Sequence, residues 1–114
     1  MSAVEEYLAT LDEPARSALA HVVQTAHRIA PVAVEGRSYG VAALLVDGRP
    51  LLGVKATAKF LALYPFSPAA VDAVAGDVEA RMLSKGTVRF IADRPLPDDV
   101  IERLVRARLA ELAG

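Results

Sequence analysis

The sequence predicts an α+β fold: a small antiparallel sheet of four to five strands flanked by N-terminal and C-terminal helices, in the order α-α-β-β-β-α-β-α. Three observations predict it. Apolar residues recur at helical spacing near both ends, as Leu19, Val22, Val23, Ala26, Ile29 and Ala30, and again as Val100, Ile101, Leu104, Val105, Leu109 and Leu112. Short apolar runs, too brief for helices, flank Asp47-Gly48, a pair that tolerates the positive φ of a type I′ hairpin. Helices segregated around such a sheet define the α+β class. With 114 residues the chain is expected to be a single domain over residues 1–114.

Ser2 and Glu5 have the spacing of a capping box, and Val4, Tyr7, Leu8 and Leu11 continue it as a short amphipathic helix. Pro14 suits a first helical turn, and the Asp12-Glu13 pair complements the helix dipole there, so a second helix is expected over about residues 14–30, ended by Pro31. Residues 41–46, 51–56 and 60–64 then read as a three-stranded meander that Pro65 ends. Glu35, Arg37 and Ser38, just before it, fit a further strand or a loop. Ser67-Pro68 is an N-cap followed by a first-turn proline, with Val71 and Val74 on a short helix closed by Gly76. Asp77 is expected to cap another short helix through Met82 and Leu83. Lys85-Gly86 turns the chain into a fourth strand at residues 87–91. Asp93 to Pro97 is too proline-rich for a strand, and the terminal helix starts at Asp98, with two aspartates at its positive end.

Composition excludes several functions. A chain with 54% hydrophobic and 24% charged residues is not disordered. A net charge of −1 supplies no overall excess to recruit nucleic acid or an anionic membrane, so neither is expected as a partner. Without cysteine there are no disulfides, thiolate metal sites or cysteine nucleophiles. The most apolar stretch, residues 41–54, is broken by Asp47, Arg49 and Pro50, and the start of the chain is acidic, so a cytoplasmic location is expected. Alanine occurs 22 times, which makes the core thinner than the hydrophobic percentage implies.

No motif for metal-dependent hydrolysis, nucleotide binding or a nucleophile elbow occurs, and no enzyme activity or cofactor is expected. His21 and His27 lie six residues apart on one helix and so on different faces, which prevents joint chelation. His21 faces water, and His27 has a hydrogen-bonded packing role at the border of the apolar stripe. Acids cluster at Glu5-Glu6, at Asp12-Glu13 and at Asp98-Asp99 with Glu102, where oxygen ligands suit weak iron binding, although the helix dipole and solubility explain acids there as well.

The stretch from Ser84 to Phe90 is the most specific. As a strand it puts Lys85, Thr87 and Arg89 on one face and Val88 and Phe90 in the core. An arginine in a cleft offers a planar fork of donors to a carboxylate or phosphate. Lys55 and Lys59 join it if their faces coincide, with Tyr39 and Tyr64 as aromatic walls. The candidate ligand site is therefore Tyr39, Lys55, Tyr64, Lys85 and Arg89. The opposing reading pairs Arg89 with Glu35 or Asp93 and leaves both tyrosines as core residues with wet tips.

In order along the chain, Val4 to Leu8, Asp12-Glu13-Pro14, Ser38-Tyr39-Gly40, Leu63-Tyr64-Pro65, Ser84 to Phe90 and Leu96-Pro97 resemble the YdhG-like bacterial domain family, a domain of unknown function, over residues 4–111. The resemblance implies a compact α+β domain. It also implies iron as a cargo, because some relatives are described as frataxin-like intracellular iron chaperones. The sequence departs from the family where Val41-Ala42-Ala43-Leu44 replaces a proline and an aromatic, and where Lys59-Phe60-Leu61 lacks a histidine. The first change makes that surface smoother and less able to stack a ligand, and the second, which loses a histidine and places the Lys59 cation nearby, disfavours a metal there. The leading expectation is a non-catalytic binding domain with a shallow anion site on the sheet. The alternatives are an iron-binding chaperone and a homodimeric interaction module that uses an open sheet edge.

Overall fold

The computed structural model describes residues 2–114. Helix α1 spans Ala3–Ala9 and opens on the Ser2 cap, whose hydroxyl accepts from the Glu5 amide at 3.1 Å. Helix α2 spans Ala15–Ile29 and buries Leu19, Val22, Val23 and Ala26, the expected stripe. Six strands follow: β1 Val34–Ser38, β2 Val41–Val46, β3 Arg49–Ala56, β4 Leu61–Tyr64, β5 Leu83–Ser84 and β6 Thr87–Phe90. Helix α3, Pro68–Asp72, lies between β4 and β5, and α4, Asp98–Ala113, ends the chain.

The strands form one antiparallel sheet in the order β1-β2-β3-β4-β6-β5. It has the expected class and order, and one strand more than the upper expected number. Beyond the four strands of the expected order it adds the two edges, β1, which the sequence left open as a strand or a loop, and β5. Strand β1 exists because Tyr39 (φ 51°) and Gly40 (φ 75°) turn the chain in the same left-handed sense as Asp47 (φ 51°) and Gly48 (φ 78°). The Tyr39-Gly40 turn was not foreseen, because an aromatic is costly in that region of backbone space. Strand β5 is the other arm of a hairpin turned by Lys85 and Gly86, the glycine at φ 82°.

Alternation divides the sheet into two faces. Leu44, Leu52, Val54, Leu61, Leu63, Val88 and Phe90 face the helices and join Val4, Leu19, Val22, Val71, Val74, Val100, Ile101 and Leu104 in one core. The register shifts between Leu44 and Leu45, opposite Pro50, and next to this bulge the consecutive residues Leu51 and Leu52 both enter the core. The outer face is floored by small residues, with Gly36, Ala43 and Gly53 aligned across three strands and Ala62 beside them. Phe66 and Val41 lie against Gly53, at 3.3 and 3.2 Å from where a side chain would start.

The helix expected after Asp77 does not form. Two 3-10 turns, Ala75–Asp77 and Ala80–Met82, take its place, separated by an extended Val78, and Leu83 enters β5. This stretch has Gly76 but no helical apolar period to hold a longer helix on the core. Long side chains tie the terminal helix to the β2–β3 hairpin. The half-buried Arg108 donates through Nε to the Pro50 carbonyl at 3.0 Å, and Arg49 donates to the Leu112 carbonyl at 3.1 Å. No helix is long and apolar enough to cross a membrane among the described residues.

A candidate anion cleft beside the last strand

Strand β6 outruns its neighbour. Because β5 is two residues long, Arg89, Phe90 and Ile91 extend past it, and the chain from Asp77 to Met82 and the loop from Arg94 to Pro97 close around them. The result is a cleft of about 180 Å³ lined by Arg81, Arg89 and Arg94, by Asp77 and Glu79, and by Met82, Phe90, Ile91 and Leu96. Each wall has a local cause. Val88 and Phe90 anchor β6 in the core, which sets the alternate residue Arg89 on the other face. The 3-10 turn Ala80–Met82 places Arg81, and a tight turn closed by the Arg94 amide on the Ile91 carbonyl at 3.0 Å places Arg94.

Both carboxylates in the cleft already have partners. Asp77 is 2.8 Å from Arg103 of α4, and Glu79 accepts from Arg81 Nε at 2.8 Å. That hydrogen bond, reinforced by the Arg81 and Arg94 charges, holds the Glu79 carboxyl below the usual carboxylate range. Arg89 donates to the Ser84 hydroxyl at 3.2 Å. Among the described residues neither Arg89 nor Arg94 makes an ion pair. Three guanidinium groups therefore stand against two carboxylates, one of which is neutralised from outside the cleft.

Of the five residues read from the sequence, Arg89 alone lines this cleft. Thr87 to Phe90 is extended as expected, with Val88 and Phe90 buried. Lys85 is a correction. It lies in the hairpin turn, not on the strand with Thr87 and Arg89, and lines a separate hollow with Pro68, Asp72 and Ser84. Lys55 shares the outer face with Arg89, because Lys55, Ala62 and Arg89 are aligned across β3, β4 and β6. Tyr64 stands on the same face, opposite Gly53. Tyr39 is 87% exposed at the far hairpin and stacks on Phe66, with ring centroids 5.8 Å apart. The two tyrosines thus belong to the outer surface, and one of them is not even partly core. Lys59 sits in the exposed β3–β4 turn. Arg81 and Arg94 went unread, because nothing in the sequence shows that two loops more than ten residues apart meet on β6.

The other candidates resolve differently. His21 is exposed but pairs with Asp98 at 2.7 Å, bridging α2 and α4, and does not simply meet water. His27 is half-buried against Glu35 at 3.3 Å, the packing role expected of it, and the Ser2 hydroxyl also donates to Glu35. The acids at the start of α4 all have basic side chains as partners: Asp98 faces the His21 ring, Asp99 faces Arg103 at 3.3 Å, and Glu102 faces Arg28 at 3.5 Å. Among the described residues no group of three or more histidines and carboxylates is placed to hold a metal ion.

Helices on one face of an antiparallel sheet, with a cleft where a long strand passes a short edge, define a two-layer α+β domain. Among solved structures, it is similar to a DUF1801 family protein, YdhG, from Bacillus subtilis, with a TM-score of 0.78, 17% identity, and coverage of 96% of this chain and 90% of that one. That likeness shows a shared fold. No family model matches the sequence, and no curated protein matches it.

Proposed function

We propose that the chain is a non-catalytic member of the DUF1801 family that binds a small anionic ligand, a carboxylate or a phosphate, in the cleft beside β6. The observation that carries this reading is the pair Arg89 and Arg94, both without an ion-pair partner, in a cleft whose own carboxylates are engaged by Arg81 and Arg103. A guanidinium fork matches the geometry of carboxylate and phosphate oxygens, and the shelter of Phe90, Ile91 and Leu96 strengthens such a pair relative to open water. The volume selects for size. Sites for drug-sized ligands run from about 300 Å³ upward, and at about 180 Å³ this cleft suits a compact oxyanion. The cleft offers no nucleophile paired with a base, which favours binding over chemistry.

Titration with inorganic phosphate and with acetate, followed by amide chemical shifts, tests the reading. Saturable shifts confined to residues 77–82 and 89–97 are expected for at least one of the two, and Arg89→Gln with Arg94→Gln should abolish them. Linear, non-saturating shifts spread over the surface would remove the proposal.

A further inference from the structure

Strand β1 is an open edge, and its sequence is complementary to itself. Among the described residues it pairs with β2 on one side and with nothing on the other. Natural sheets blunt such edges by shortness, lysine or proline, and the opposite edge, β5, is only two residues long. Strand β1 has five residues and neither lysine nor proline, and its two charges, Glu35 and Arg37, share the helix-facing side opposite Leu44 and Ala42. The three exposed large hydrophobic residues among the described ones, Val32 at 76%, Val34 at 59% and Tyr39 at 87%, lie on or beside it.

The register decides what can dock there. Ser38 and Val41 flank the two-residue turn, and in such a hairpin this flanking pair is the hydrogen-bonded one. Ser38, Gly36 and Val34 therefore direct their peptide groups at β2, and Glu35 and Arg37 direct theirs at the open edge. A second β1 running antiparallel can hydrogen-bond through those groups with its two-fold axis at residue 35, 36 or 37. An axis at Glu35 opposes two glutamates, and an axis at Arg37 opposes two arginines. An axis at Gly36 sets Glu35 of each copy opposite Arg37 of the other, twice, and brings Gly36 against Gly36 where the backbones are closest. Arg37 is exposed and has no side-chain partner among the described residues. Val34 then meets Ser38 of the other copy on the outer face.

We propose that β1 is a self-association edge at which two copies of the chain join antiparallel about Gly36 into one continuous sheet, fixed in register by reciprocal Glu35–Arg37 pairs. The occupant is a second copy because the charge order of β1 read backwards is the complement of β1 read forwards.

Sedimentation velocity over micromolar to submillimolar protein tests association. A concentration-dependent dimer is expected, and Arg37→Glu, which opposes like charges in both pairs, should weaken it by about ten-fold or more. Because Glu35 also binds Ser2 and His27, the register is tested without altering it. Chains carrying Val34→Cys are mixed with chains carrying Ser38→Cys under mild oxidation, in a protein that otherwise has no cysteine. The mixed disulfide should exceed either homodisulfide several-fold. A single monomer mass throughout, a dimer indifferent to Arg37→Glu, or homodisulfides in equal yield would each overturn the proposal.

Discussion

At the scale of single residues, the chain relies on a few polar atoms placed where the backbone would otherwise go unpaired. Tyr7 is the clearest case. Its ring packs on the core from α1, and its hydroxyl accepts from the Ala56 amide at 2.8 Å, where β3 ends. One side chain thus docks the first helix and satisfies a partly buried donor. Tyr7→Phe keeps the ring and removes the acceptor, so it should cost about 1–2 kcal/mol, the penalty of an unmade hydrogen bond at a half-buried amide. Urea denaturation checks this. The midpoint should fall with the slope unchanged, and an unaltered midpoint would mean that water replaces the hydroxyl at no cost.

At the scale of elements, a similar dependence sits at the start of α3. Ser67 is buried at 2% exposure, and its hydroxyl accepts from the Ala70 amide at 3.1 Å. Helix α3 has only five residues, too few to hold itself by propagation, so its cap and the burial of Ala70 and Val71 determine whether it forms. Ser67→Ala should destabilise by about 1–2 kcal/mol, within the range of lost caps. Faster amide exchange at Ala70 and Val71, with α4 protected as before, would locate the loss in α3. Uniform exchange across the molecule would instead mean that α3 opens only when everything does. The Ser67-Pro68 signature was legible in the sequence for the same reason that it matters, since a short helix needs a strong local start. Other elements divide along this line. The α2 and α4 stripes, the Asp47-Gly48 hairpin and the alternation of Val88 with Phe90 were readable because period and turn chemistry are local. Strand β1 was not resolved from a loop, because Val34-Glu35-Gly36-Arg37-Ser38 has no alternation of its own and its turn uses tyrosine where asparagine or aspartate is usual. The cleft was half legible. Arg89 followed from strand parity, but Arg81 and Arg94 reach it through loops whose paths depend on how short β5 is.

At the scale of the whole molecule, acid should loosen the fold from three separate places. Glu13 is held below the usual carboxylate range chiefly by Ser17, Glu79 by Arg81, and Glu111 by Ser67 and then Arg108. They sit at the start of α2, in the cleft and near the end of α4. Each carboxyl gives up its proton more readily when folded, so each contributes stability that is complete above the ordinary glutamate value and lost as pH falls through the folded one. The urea midpoint should therefore be flat on the acid side of neutrality until about pH 4.3, the ordinary glutamate value, and fall below it. All three groups are at the surface, so each part of the fall is small and the Arg81 part shrinks in high salt. Glu111 separates local from global, because its carboxyl on α4 is held low chiefly by the Ser67 hydroxyl that caps α3. Glu111→Gln cannot titrate, so it should lower the midpoint slightly at neutral pH and flatten the acid slope. A midpoint that rises below about pH 4.3, or a Glu111→Gln slope equal to that of the parent, would show that these carboxylates do not govern the acid limb.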